Sequence, residues 1–397
     1  MSRLAPAVLV VGFILLASCV ARVPEPARLD LSPRGFADLR GWRDDAQDEA
    51  LAALRRSCAV FEALADEEPV GPGALAGTAA DWRAPCAAAA GAEGKEAARV
   101  FFERWFTPYL ASDRGAPEGL FTGYYEPLLS GARTPGGRYV APIHGAPASL
   151  VGVDLGLFDP ELRGRRLFGR VEDGELRRLP SRAEIDSGAL GDEAPVLAWV
   201  DDAVEAFFLH VQGSGRIGFE DGAILRVGYA ASNGHAYVSI GRALVERGAL
   251  AADAVSLQSI RAWLAAHPKE TASVLALNPS YVFFRALEGD GPVGAQEVAL
   301  TPGRSLAVDR RFLPLGVPMW LDITVPSVNS GAPDRALRRL VVAQDTGGAI
   351  RGPVRGDLFW GFGADAESIA GRMKHTGRYY LLLPRGVVER HVAAAGG

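Results

Sequence analysis

The chain opens on an apolar run. Residues 4–16 are almost unbroken hydrophobic after a Met-Ser-Arg start, too short to span a bilayer comfortably and suited to the core of a signal peptide. Residues 20–36 are Pro-rich and polar and read as a tether. From about 37 to 111 apolar residues recur at three- and four-residue steps. Leu51, Leu54, Cys58, Phe61 and Leu64 form one helical stripe; Val100, Phe101, Trp105 and Phe106 head another. An Ala/Gly-rich connection, 71–94, separates them. At Phe121 the pattern turns to strands. Asp173-Gly174 and Asp221-Gly222 sit between apolar arms and predict hairpins, so 126–235 reads as all-β. Helical stripes return over 236–277 (Ile240, Leu244 and Val245; then Val255, Leu257, Ile260 and Leu264) with a break at Gly248. Beyond Asn278 and Pro279, strands are predicted at 281–284, 306–308, 318–325, 340–343 and 379–383. No period of a repeat protein is present.

Composition adds a domain count. The 397 residues are 48 % hydrophobic and include 47 Gly and 26 Pro, which fits two or three turn-rich domains. A net charge of −5 argues against nucleic acid or an anionic membrane as main partner.

The apolar run ends in Leu16-Ala-Ser-Cys19, which resembles a bacterial lipoprotein signal with Cys19 as the lipidated residue. Val20 follows where Asp would mark inner-membrane retention, so an outer-membrane lipoprotein facing the periplasm of a Gram-negative bacterium is expected. Cys58 and Cys86 then remain, either paired as a disulfide or as two buried thiols. No metal-ligand spacing and no sign of a cofactor is found.

Gly213-Ser-Gly215-Arg-Ile-Gly218 matches GxGxxG, but a hairpin follows where a dinucleotide site needs a helix. There is no GxSxG elbow and no Walker loop. More informative are three acids near predicted strand ends: Asp309, Asp345 and Asp357, the last two among glycines, with Trp360 and Phe362 alongside. Carboxyls, aromatic faces and close backbone approach suit a glycan cleft, where carboxyls do acid/base work at the glycosidic oxygen. The plain alternative is that such acids cap turns.

This block resembles the three-aspartate (3D) domain, and the chain resembles the membrane-bound lytic murein transglycosylase A family. The likeness rests on Phe121-Thr-Gly-Tyr-Tyr125, Leu179-Pro-Ser-Arg-Ala-Glu-Ile185, Val211-Gln-Gly-Ser-Gly215, Asn233-Gly-His-Ala-Tyr237, Ser239-Ile-Gly241, Asn278-Pro-Ser-Tyr-Val-Phe-Phe284 and the Asp345/Asp357 block, over roughly 120–385. It implies a mainly β fold with peripheral helices: a double-psi β-barrel with an inserted second β-domain and a groove between them. The divisions then expected are 1–18 signal peptide, 19–36 tether, 37–125 with 236–397 as a discontinuous barrel domain (3D block about 300–385), and 126–235 as the insert. The implied reaction is non-hydrolytic cleavage of the β-1,4 bond between N-acetylmuramic acid and N-acetylglucosamine in peptidoglycan glycan strands, leaving 1,6-anhydro ends. The family's catalytic acid maps onto Asp357, with Asp345 as its tuning partner and Asp309 as a structural acid. Gln212, Gly213, Ser214, Tyr124, Tyr125, Asn233, Tyr237 and Trp360 are the expected glycan contacts. The stretch before Asp357 departs from the family pattern: it is longer and carries Pro353 and Arg355. A hydrolase on the same barrel and a non-catalytic wall-binding lipoprotein remain as alternatives.

Overall fold

In the computed structural model, which describes residues 26–387 apart from 163, 290, 328 and 330, the chain begins with a strand. The signal peptide and Cys19 lie outside the described residues. β1 (Leu29–Pro33) falls where the sequence reads as tether and pairs antiparallel with β2 (Phe106–Asp113). Its alternating Leu29 and Leu31 pack against the main core, a pattern the surrounding Pro and charge conceal. Between the two strands lie α1 (Gln47–Ala63), α2 (Ala80–Ala90) and α3 (Gly94–Trp105). The stripe Leu51, Leu54, Cys58 and Phe61 is buried as its spacing requires. The Ala/Gly-rich connection holds α2, since a run of alanines is a good helix former. Trp82 of α2 is fully buried against Phe61, ring centroids 4.5 Å apart. Cys58 and Cys86 are joined by a disulfide that ties α1 to α2. The second helical stripe stops at Trp105, and Phe106 starts β2 instead of continuing to 111.

β3 (Gly119–Glu126) leads through Pro127 into a second group of strands: β4 (Leu128–Ala132), β5 (Ala141–His144), β6 (Val151–Asp154), β7 (Arg166–Glu172), β8 (Glu175–Arg177), β9 (Val196–Val200), β10 (Ser214–Phe219), β11 (Ile224–Ser232) and β12 (Val282–Ala286). Six of these form one sheet, ordered β12-β11-β10-β4-β9-β5; β6, β7 and β8 form a small antiparallel sheet. Both Asp-Gly pairs make the expected hairpins, β7 to β8 and β10 to β11. The helices of this region are α4 (Arg182–Asp186), α5 (Ala203–Gln212), α6 (Ile240–Glu246), α7 (Leu257–Ala266) and α8 (Pro268–Leu275).

This region differs from the sequence reading: α4 lies inside the stretch read as all-β, and so does α5. Its core, Ala206 to His210, is buried, and a short apolar run does not by itself separate buried strand from buried helix. Its caps decide: the Asp202 side chain accepts from Val204 N at 2.7 Å, and Gly213 ends the helix at φ +79°. Also, β12 pairs with β11, so the second sheet draws on the chain beyond residue 235. Phe207 and Phe208 of α5 pack with Ile240, Leu244, Ile260 and Leu264, which attaches α6 to α8 to the same region.

The chain then returns through β13 (Ser305–Val308), β14 (Pro318–Val325), β15 (Arg335–Asp345), β16 (Arg355–Phe362), α9 (Ala364–Ala370) and β17 (Lys374–Pro384). The order β3-β16-β13-β15-β14-β17 closes into a six-strand barrel because β17 also pairs with β3, while β2 and β1 extend from β17. The start of β3 lies tight against the residue before β16: a Cβ on Gly119 would lie 1.7 Å from the Val354 carbonyl oxygen.

Candidate active site

Strand pairing assembles the acids. β13 lies between β15 and β16, and Ala307 pairs with Asp345 on one side and with Asp357 on the other. Two strand spacings separate the acids' Cα atoms by roughly 10 Å, with a methyl group between them. On its far side Asp357 is opposite Thr122 of β3. Asp357 is thus the third residue of a strand, not a strand-end turn residue.

Both carboxyls are densely surrounded yet keep some solvent contact. Asp345 Oδ1 accepts from the backbone N–H of Ala295 and Thr346, each at 2.9 Å, and Oδ2 accepts from Tyr124 Oη at 2.8 Å. Burial nevertheless pushes its pKa up to about 6, because desolving the charge outweighs these bonds, and the negative Asp357 adds to the rise. Asp357 Oδ1 accepts from Thr122 Oγ1 at 2.6 Å. Burial raises its pKa as well; Arg355 and the Thr122 bond pull against that rise. Asp309 behaves differently. Burial would raise its pKa, but Arg311 and the N–H groups of Gly352 and Arg311 hold it below the usual value. Its carboxylate receives Gly352 N at 2.8 Å and Arg311 Nη2 at 2.6 Å, so it fastens the loop before β16.

The expected glycan contacts divide. Tyr124 faces the acids, its ring 5.2 Å from Phe359. Tyr125 points to the opposite face, as strand alternation requires, and packs with Ala366 and Ala370 of α9. Trp360 joins that same cluster, lies against Gly123 and gives its indole N–H to Met373 Sδ at 3.4 Å. Asn233 is fully buried, giving to Pro180 O and Pro279 O and accepting from Tyr281 N and His235 N. Tyr125 and Asn233 are thus engaged in packing and backbone contacts, and Trp360 is half-buried against α9. Gly213 caps α5, and Ser214 is buried at the start of β10. Gln212 Oε1 accepts from Tyr125 N at 3.1 Å and joins α5 to β3. Tyr237 is half-buried beside Gly348, in the loop that follows Asp345.

Three residues outside the expected set matter here. Thr122 lies within the aromatic motif 121–125, where the tyrosines carry the stronger chemical signal. Arg355 showed in the sequence as an irregularity before Asp357; its Nη2 gives to Thr122 Oγ1 at 2.8 Å. Phe362 is 61 % exposed where the barrel meets the second sheet, with the Arg216 guanidinium 4.0 Å from its ring centroid. Among the described residues no cluster of three His, Cys, Asp or Glu could hold a metal ion.

A closed barrel with two carboxyls of raised pKa on the strands that flank β13, and a second sheet spliced in after β3, defines a 3D-domain barrel protein with an insert. Family models agree in position: the MltA specific insert domain matches residues 120–285 and the 3D domain matches 304–383. Membrane-bound lytic murein transglycosylase A of Escherichia coli K12 is 36 % identical over 264 residues, 66 % of this chain and 65 % of that protein. The match thus spans just under two thirds of that curated relative's length. The crystal structure of a membrane-bound lytic murein transglycosylase from Agrobacterium tumefaciens superposes with a TM-score of 0.79 at 38 % identity, covering 91 % of this chain and 99 % of that one. E. coli MltA with bound chitohexaose gives 0.64 at 28 %, covering 91 % and 93 %. The chain belongs to the MltA family of membrane-bound lytic murein transglycosylases. No described helix is long and apolar enough to cross a membrane.

Proposed function

We propose that this protein is a peptidoglycan lytic transglycosylase that cleaves the β-1,4 bond between N-acetylmuramic acid and N-acetylglucosamine without water, with Asp357 as acid and then base. One observation carries this reading: Asp357 is solvent-reachable, its burial favours the protonated form, and Oδ2 has no hydrogen-bond partner among the described residues. Protonated Asp357 gives its proton to the glycosidic oxygen as the bond to the anomeric carbon breaks. The resulting carboxylate takes the proton of the C6 hydroxyl, whose oxygen bonds to the anomeric carbon. The acid is regenerated and a 1,6-anhydro ring is left.

A hydrolase needs a second carboxylate free to activate water. Asp345, whose oxygens accept three hydrogen bonds from Tyr124, Ala295 and Thr346, is a poor fit for that task. Its part instead is orientation, with the two acids coupled by charge repulsion. The family's chitohexaose-bound relative supports a glycan ligand, which we place between a double-psi barrel and the spliced second sheet, with Phe362 and Tyr237 facing it. Anchoring through Cys19 at the outer membrane, facing the periplasm, belongs to the same proposal.

The test is digestion of purified sacculi with mass analysis of the released ends. Ends lighter by one water are expected, with none from Asp357→Ala although it still binds glycan strands. Hydrated ends, or full release by Asp357→Ala, would overturn the reading.

A further inference from the structure

We infer that Arg355, acting through Thr122, is a positioning residue that holds the transferable proton on Oδ2 of Asp357. The inference rests on the reading of Asp357 as the acid.

The argument is one of hydrogen-bond direction. A guanidinium only donates, and a threonine hydroxyl has a single proton. Arg355 Nη2 lies 2.8 Å from Thr122 Oγ1, so that oxygen accepts there. The hydroxyl proton is then left for Asp357 Oδ1 at 2.6 Å, a short bond of the kind carboxylates accept. With Oδ1 already receiving a proton, an added one belongs on Oδ2, the oxygen with no partner among the described residues. Without Arg355 the hydroxyl is free to turn and accept from Oδ1–H, and the proton can then sit on either oxygen.

Arg355 is itself unusual. It is 8 % exposed, and no carboxylate of the described residues lies within salt-bridge distance. Its Nη1 gives to the carbonyls of Gly356 and of Leu120. A buried cation without an ion pair is costly. Here its field falls on Asp357 across Thr122. The other ionisable groups facing Asp357 are Asp345 from β15 and Tyr124 from β3, which are bonded to each other; β13 contributes Ala307. Burial opposes ionisation of Asp357 and Arg355 favours it, so Arg355 also sets how readily the proton leaves.

The experiment is the pH profile of anhydro-end release by the full chain, with the Asp357 carboxyl titrated independently by carbon NMR. Arg355→Met is expected to move the alkaline limb and the carboxyl titration to higher pH and to lower the maximal rate roughly tenfold. Thr122→Val should do the same, while Arg355→Lys and Thr122→Ser restore much of the wild-type profile. If Arg355→Met fails to fold, the Thr122→Val and Thr122→Ser pair decides alone. Equal loss at every pH with an unmoved titration would overturn the inference. Retained release by Asp357→Asn would instead overturn the functional reading, and the NMR titration would still report whether Arg355 tunes this carboxyl.

Discussion

At the scale of single residues, the site holds charge-bearing groups where charge is unwelcome. Asp345 shows the consequence for stability. Its folded pKa of about 6 is above its ordinary value of 3.8, so the folded state binds the extra proton. The stability this gives is fully present below the ordinary value and is lost as pH rises through the folded one. Asparagine should fit the position: its oxygen can accept from Ala295 and Thr346, and its amide can give to Tyr124. Asp345→Asn is therefore expected to raise stability at pH 8 by about 1–2 kcal/mol after allowance for solvent screening, with the gain vanishing by pH 4. Thermal melts across that range check it. The same variant should release anhydro ends more slowly, a trade of activity for stability. Phe362 carries a different expectation. An exposed ring beside a guanidinium is a poor core residue and a good sugar platform. Phe362→Ala should raise KM several-fold with little effect on melting temperature, which kinetics on sacculi and a melt together test.

At the scale of elements, α5 links a buried polar group to folding. Arg182 Nη2 gives to His210 Nδ1 at 2.9 Å, so that nitrogen must be unprotonated. Burial, with Arg182 adding to it, holds the His210 pKa well below 6.5. The unfolded state then binds more protons once pH falls below about 6.5, and stability falls with it. A series of melts from pH 8 to 5 should show that loss. His210→Gln, whose oxygen can accept from Arg182 without titrating, should flatten it. The cap that creates α5 also shows what a sequence reveals. Asp173-Gly174 was legible as a hairpin because both positions need positive φ, and they have it at +50° and +80°. The amphipathic α1 was legible because it has one wet face. α5 is buried over most of its length and β1 is masked by prolines, so neither carries a clean period. The three acids could be named, but not the grouping of Thr122 and Arg355 with one of them, because it exists only once β3 and β16 pair.

At the scale of the whole molecule, one joint between the spliced sheet and the barrel is built by helices around Arg261. Arg261 of α7 pairs with Glu205 of α5 at 2.5 Å and with Glu367 of α9, and gives to Tyr125 Oη of β3 at 3.2 Å. α9 packs on barrel strands and α5 on the second sheet's side, so one guanidinium spans both. Removing it leaves Glu205, whose pKa burial already raises, near Glu367 without their shared cation. Breaking such a half-buried network by deleting one partner costs more than the net worth of the pair, because the remaining charges lose their compensation. The acids and Thr122 sit on the barrel alone, whereas Tyr237 and Gln212 come from the other side of the joint. Arg261→Met should therefore loosen substrate binding before it slows chemistry. KM is expected to rise several-fold with kcat within about twofold, and amide exchange should quicken over 257–275 while the barrel strands 335–345 and 355–362 stay protected. A uniform loss of protection across both sheets would mean that the two sides fold as one cooperative unit and that Arg261 is a stability residue without a part in setting the cleft.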